Sequence, residues 1–325
     1  MKLRCALMAV AVAMALPAQS GAAAPSVPAA SSEQAASAEI PFDPPLDSKV
    51  RYRWEKTEQR DGKTDMSWSV DDFQFDQIES GYRLTVTPVS SGSNESDPRK
   101  LAMMKRLDDL TRQPFVLRLN EGGEIENLEN ADLYWSRIYD VLQEEIGKDA
   151  EIKKDPAFRE LMENVLGMFR NMPAEAKQAL LVESIQPAVE FANTHTEVGK
   201  PLTSSVPTPS LYGEVINREV AIRLRKVAAG TAFLTISSTI PRAELDKLMR
   251  AFLKQLTALP ADKRQEAQKA MASFEGFRHD TNSDYEVSVD DGLLERFQST
   301  ETIEVSDKDK QSRKVTTRSL ARIDN

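Results

Sequence analysis

The sequence predicts an α+β domain: one curved antiparallel sheet, an incomplete barrel, with helical hairpins packed on its concave face. Three observations predict it. Apolar and polar residues alternate strictly through several runs, the mark of strands with one buried and one wet face. Two stretches between those runs carry apolar stripes at helical spacing. The two helical stretches resemble each other, and so do the strand pairs near them, which points to two related halves of one sheet.

The strands begin at Val50, where Val50, Tyr52 and Trp54 alternate with Arg51, Arg53 and Glu55. Trp68 and Val70 continue the pattern, then Phe73 and Phe75 follow with the parity slipped at Asp71–Asp72, read as a bulge. Tyr82, Leu84 and Val86 form a third run after the turn "ESG" at 79–81. "DPRKLAMMKRLDDL" (97–110) reads as a short helix with Asp97 and Pro98 at its start. "PFVLRLNEGGEIENL" (114–128) is a hairpin with Gly122–Gly123 at its turn. Residues 131–193 are helical by spacing and form an insertion. Strands return with "EVAIRLRKV" and "TAFLTISST", joined at Gly230. A second helical hairpin fills 241–275, and 284–323 is strand again.

"LMENVLGMFRNMPAEAKQ" (161–178) and "LMRAFLKQLTALPADKRQ" (248–265) share six of eighteen positions. In the first, Leu161, Met162, Val165, Leu166, Phe169 and Met172 make one stripe; in the second, Leu248, Met249, Phe252, Leu253, Leu256 and Leu259 do. Pro173 and Pro260 then open a second helix in each copy. The strand pairs "FVLRLNEGGEI" and "YEVSVDDGLL" repeat the same order of strand, acidic Gly turn and strand. No Pro/Gly/Ser linker divides the halves, so residues 46–325 are expected to be a single domain.

The N-terminus is "MKLRCALMAVAVAMALPAQSGAAAP". Lys2 and Arg4 precede twelve unbroken apolar residues and then small ones, the pattern of a secretory signal peptide over residues 1–23, cleaved near Ser20 or Ala23. Residues 24–45, rich in Ala, Pro and Ser, read as a disordered arm. Export places the protein in an envelope compartment, and the leader style suggests a Gram-negative periplasm. Cys5 is the only cysteine and leaves with the leader, so no disulfide and no thiolate metal site is expected. No later run approaches the apolar length of a membrane helix. The net charge of −9 argues against nucleic acid as a partner, because phosphate neutralisation needs a basic face.

No reaction is legible. His195 and His279 stand alone in polar surroundings, without a ligand or carboxylate at metal spacing, and are read as surface or strand-end residues. No nucleophile-elbow, phosphate-loop or dinucleotide motif occurs, and no catalytic residue, metal or cofactor is assigned. Arg218, Arg223, Arg225 and Lys226 alternate with apolar residues and are read as the wet face of a strand.

The informative feature is apolar. Tyr52, Trp54, Trp68, Phe75, Tyr82, Phe115 and Tyr285 are expected on one sheet face, with Met162, Phe169, Met172, Met249 and Leu256 above them as a lid. Two readings stay open: an ordinary core between sheet and helices, or a partly open concavity that holds an acyl chain.

A sheet rich in large inward residues and interrupted by helices, in an exported chain without cysteine, resembles the outer-membrane lipoprotein carrier (LolA-like) superfamily. The stretches "VGKPL", "VAIRLRKVAAGTAFLTIS" and "YEVSVDDGLLERFQSTETIEV" also resemble uncharacterised secreted β-rich bacterial families. The resemblance implies an incomplete barrel under a helical lid and a soluble periplasmic carrier of a hydrophobic lipid or acyl ligand. The alternative is a non-enzymatic envelope adaptor that binds proteins through its acidic helical block.

Overall fold

The computed structural model describes residues 37–60, 62–148, 150–209, 214–256, 274–307 and 311–324. The signal peptide at 1–23 lies outside the described residues. The chain forms β1 (Ser37–Ile40), β2 (Val50–Arg60), β3 (Lys63–Ile78), β4 (Gly81–Ser93), α1 (Pro98–Thr111), β5 (Phe115–Leu119), β6 (Ile125–Leu128), α2 (Ala131–Lys148), α3 (Ala150–Lys154), α4 (Pro156–Arg170) and α5 (Ala174–Val182). A 3-10 turn (Gln186–Ala188), β7 (Thr194–Glu197), β8 (Leu202–Pro209), β9 (Val215–Ala228), β10 (Thr231–Thr239), α6 (Arg242–Leu256), β11 (Phe274–Ser288), β12 (Leu294–Asp307) and β13 (Gln311–Ile323) complete it.

Eleven strands form one curved antiparallel sheet in the order β6-β5-β4-β3-β2-β13-β12-β11-β10-β9-β8, and it does not close into a barrel. Its two chain ends meet at the centre, where β2 pairs with β13 from Arg51↔Ile323 to Arg60↔Lys314. A separate two-stranded sheet joins β1 to β7. Among the described residues, no helix is long and apolar enough to cross a membrane.

The two halves of the sheet repeat. β3-β4-α1-β5-β6 and β9-β10-α6-β11-β12 are each four adjacent strands with a helix between the second and third. Gly81 and Gly230, both at positive φ, turn the first hairpin of each half. The strand repeat therefore marks equivalent places in the fold, but the helix repeat does not. The counterpart of α6 is α1, whereas α4 belongs to the insertion after β6. Amphipathic helices converge on similar stripes because each must bury one face. The second helix, expected from Pro260 to the end of the block at 275, falls on residues outside the described ones up to 273, and its last two positions are already strand, since β11 begins at Phe274.

The expected disordered arm needs correction at its end. Residues 37–40 form β1, and Ala38, Ile40 and Phe42 are buried in the main core. The small apolar alternation in "SAEIPF" was masked by Ala and Pro. The arm then crosses two hairpin turns that occupy equivalent places in the halves. At the β5–β6 turn, a Cβ on Gly123 would lie 2.8 Å from the Phe42 ring. At the β11–β12 turn, a Cβ on Gly292 would overlap the Pro41 carbonyl oxygen. The Asp43 amide donates to the Asp291 carbonyl at 3.1 Å, so the turn holds the arm by backbone contact.

The helices α2 and α4 of the insertion pack on each other. The Trp135 indole N–H of α2 donates to the Phe169 carbonyl of α4 at 3.0 Å, and their rings stack at 6.1 Å. Tyr134 fixes α2 to the sheet: its ring stacks on Phe115 at 4.3 Å and its hydroxyl donates to the Gln113 carbonyl at 2.8 Å. Arg106 of α1 reaches Glu145 of α2 at 2.8 Å. At the other end, Leu245 and Leu248 of α6 pack with Ile216 and Ile240 in a small separate cluster.

Candidate functional site

Residues directly opposite in an antiparallel pair share a face. The register therefore assigns every side chain. One row across the sheet reads Leu224, Leu234, Tyr285, Phe297, Leu320 and Trp54. The face that carries it is called the inner face. Tyr52, Phe75 and Tyr285 are buried in its core, and Trp54, Tyr82 and Phe115 pack against that core. Trp54 stacks on Phe297 at 6.3 Å, and the Tyr52 hydroxyl donates to the Leu294 carbonyl at 2.9 Å.

Trp68 departs from the expectation. It opposes Glu55, while Trp54 opposes Ser69, so Trp68 faces the outer side. There the Arg53 guanidinium lies 4.8 Å from its ring centroid, and the ring covers Gly92. The parity slip at Asp71–Asp72 has a different cause from the one expected. β3 runs against β2 without interruption, and the register shift falls between β3 and β4, where Val89 is the extra residue. The slip records a change in which face of β3 is apolar: outer at Trp68 and Val70, inner at Phe73 and Phe75.

The lid also differs. Phe169 stacks on Trp135 rather than on the sheet, and Met172 is buried within the insertion, with Met162 half-buried. The side chains of Met249 and Leu256 lie outside the described residues. The apolar inner face is covered by the arm, whose Phe42 meets Phe75 and Tyr82 edge-on at 6.0 and 5.0 Å, and by residues 182–192, the end of α5 and the irregular stretch after it. Val182, Ile185, Ala188, Val189, Phe191 and Ala192 all belong to the main core cluster. Phe191 meets Tyr285 edge-on at 4.8 Å. Backbone hydrogen bonds in this stretch are short-range turns, Ile185 to Val182 and Ala188 to Ile185. Beyond Val182, the last residue of α5, this plug is one continuous segment whose only regular turn is a single 3-10 turn.

Two carboxylates of the plug reach the sheet. The Tyr285 hydroxyl donates to Glu190 Oε2 at 2.6 Å. Glu190 keeps a partly exposed edge, yet its Oε1 is fully buried without a hydrogen bond. Burial raises its carboxyl from 4.5 to about 7, with the Tyr285 bond working weakly the other way. The folded protein thus holds an extra proton between these values. Its stabilising share is complete below pH 4.5 and is lost as pH rises through 7, a difference of up to about 3 kcal/mol. Urea unfolding of the native chain is expected to show a lower midpoint at pH 8 than at pH 5. Glu190→Gln should abolish most of that difference; an unchanged slope in this variant would remove Glu190 as its source.

The second carboxylate is Glu183, whose Oε1 lies 3.2 Å from Arg318 Nε. It leads into a polar band on the same inner face. Ser283, Ser299, Arg318 and Lys56 form one row; Thr281, Glu301, Thr316 and Glu58 form the next; His279, Ile303 and Lys314 follow. Glu301 is the centre. It accepts from Arg318 Nη1 at 2.9 Å and bonds His279 Nε2 at 2.7 Å. Burial opposes its ionisation, but the His279 bond and the Arg318 charge outweigh burial and hold the carboxyl at about 2. Lys314 pairs with Glu58 at 2.8 Å.

Two sequence readings are corrected by this band. His279 is no surface residue: it is 3% exposed, with Glu301 as its partner. Arg218 is not on the wet face with Arg223 and Arg225. It shares parity with Val220 and Leu224, is 2% exposed, and feels the Glu301 charge. The signal was available in the parity of Arg218 and of Lys314, Thr316 and Arg318; the partners were not, because they lie on other strands. His195 is exposed on β7, as expected.

A cavity of about 690 Å³ lies elsewhere, over β8–β11. Thr203, Ser205, Glu219, Ser237, Thr239 and Asp280 among its lining share the outer face, so it is separate from the apolar site. Among the described residues, no cluster of His, Cys, Asp and Glu could hold a metal ion.

No family model matches the chain, and no curated protein matches it. Among solved structures, one of lipovitellin and its lipid–protein interactions is similar over 85% of this chain, with a TM-score of 0.42 and 6% identity. This chain spans 25% of the length of that one.

Proposed function

We propose that the chain is a binding or carrier protein for a hydrophobic ligand, a lipid or acyl chain, held on the inner sheet face beneath residues 182–192. The observation that carries this reading is the plug: the part of the apolar face around Tyr285 is covered by an irregular segment rather than by a packed helix. Such a cover can exchange for a ligand if the energies match. Burial of Val182, Ile185, Val189 and Phe191 is worth roughly 6–12 kcal/mol gross at ~1.5–3 each. An acyl chain of about fourteen carbons, at ~0.8 kcal/mol per buried methylene, supplies a similar amount. The leader at 1–23 adds export to the proposal, with the Gram-negative periplasm as the compartment.

A second reading is an envelope adaptor that binds proteins through its helical block. The observation in its favour is that the plug already fills the apolar face. Organic extraction of the purified chain with mass spectrometry, together with titration of a fluorescent fatty acid, separates the two. Co-purified lipid or saturable uptake is expected; repeated absence of both would leave the adaptor.

A further inference from the structure

The plug has the chemistry of a ligand. Its apolar side chains Val182, Ile185, Val189 and Phe191 share one core with the apolar rows, Phe191 directly against Tyr285, and its Glu183 carboxylate lies against Arg318 at the edge of the polar band. Head and tail are thus arranged as in an anionic amphiphile. The rows of the inner face support the same order. Apolar residues fill the row Leu224 to Trp54, and the next row, roughly 7 Å further along the strands, holds Ser283, Ser299, Arg318 and Lys56.

Within that row the charges are of one sign, and Glu301 of the next row bonds Arg318. Arg318 directly opposes Lys56, a like-charge cross-strand pair, which is unfavourable unless an anion sits between them. Glu301 serves one end of the Arg318 guanidinium. At the other end Glu183 comes within 3.2 Å of Nε but outside hydrogen-bond geometry, and this buried Nε makes no hydrogen bond. The carboxylate of the plug is therefore an imperfect partner. A free carboxylate or phosphate could align on that N–H and on Lys56, as a fixed side chain cannot. Glu183 is 35% exposed and Lys56 half-buried, so this end of the face is open toward solvent.

We infer that the ligand is an anionic amphiphile, whose head replaces Glu183 at Arg318 and Lys56 while its chain replaces residues 182–192 on the apolar rows. The inference rests on the function proposed above and adds the class of ligand. In it, Glu183 competes with the ligand, so the plug sets a threshold for loading.

The test uses the exported chain with cis-parinaric acid and with its methyl ester, which share the chain and differ in head charge. The acid is expected to bind roughly tenfold more tightly than the ester at pH 7.5, the worth of one charge-assisted hydrogen bond. Arg318→Gln should close that gap. Glu183→Gln should tighten the acid several-fold and leave the ester unchanged, a gain that misfolding cannot mimic. Acid and ester bound alike in all three proteins would overturn the inference and leave the hydrophobic site standing. Binding of neither probe would overturn both. Circular dichroism on each variant identifies an Arg318→Gln protein that fails to fold, and Glu183→Gln then decides.

Discussion

Replacement of Glu301 by Gln is expected to lower the unfolding free energy by about 3–5 kcal/mol. Glu301 is 4% exposed and lies between His279 and Arg318, with Arg218 close enough to feel its charge. Loss of its charge strands buried cations beside a neutral amide, and an uncompensated buried charge is among the most costly defects a core can carry. The same substitution should change the acid limb. The native carboxyl sits at about 2 instead of 4.5, so Glu301 stabilises the fold above pH 4.5, and that share, ~3 kcal/mol, is lost as pH falls toward 2. Equilibrium urea unfolding between pH 2 and 7 measures both effects. A Gln variant within 1 kcal/mol of the native protein at pH 7, with the same acid limb, would mean that the band is not held by this carboxylate.

Gly292→Ala is expected to be the most damaging glycine-to-alanine substitution among the described residues. Gly292 sits at φ +73°, where an L residue costs about 1–2 kcal/mol by itself. The added methyl would also overlap the Pro41 carbonyl, which is backbone and cannot rotate away. The arm must then lift, and Ile40 and Phe42 leave the core at ~1.5–3 kcal/mol each. Gly199 provides the comparison. Its φ is +82°, but a methyl there meets nothing within 4 Å, so Gly199→Ala should cost only the backbone term. Thermal unfolding ranks the two, and limited proteolysis should cut Gly292→Ala ahead of β2 while the rest of the chain resists. Equal midpoints for the two variants would show that the arm does not bear on the β11–β12 turn.

These effects separate what was local from what was not. Alternation at Val50–Trp54, Tyr82–Val86 and Val220–Leu224 announced strands with one apolar face, and the Gly turns announced the hairpins. The resemblance of 115–125 to 285–294 announced two related halves. All of these depend on a repeat of two residues or on a turn's φ, and neighbours along the chain set them.

The tertiary structure decided the rest. Trp68 turned outward because β3 changes its apolar face midway, and only the register with β2 reveals which half faces the core. His279, Glu301 and Arg318 became one buried cluster because adjacent strands brought together residues 17 to 39 positions apart, a pairing that no local spacing encodes. The repeated helices looked like the natural cover for the sheet, yet α4 found Trp135, and residues 182–192, together with the arm, covered it instead. Their apolar residues follow no clean period, since an irregular segment conforms to the surface below it. The chain by itself determined that a broad apolar sheet face must exist. Which segment lies on that face, and which charges border it, was fixed by packing, because burial is satisfied by whichever apolar surface arrives with matching shape.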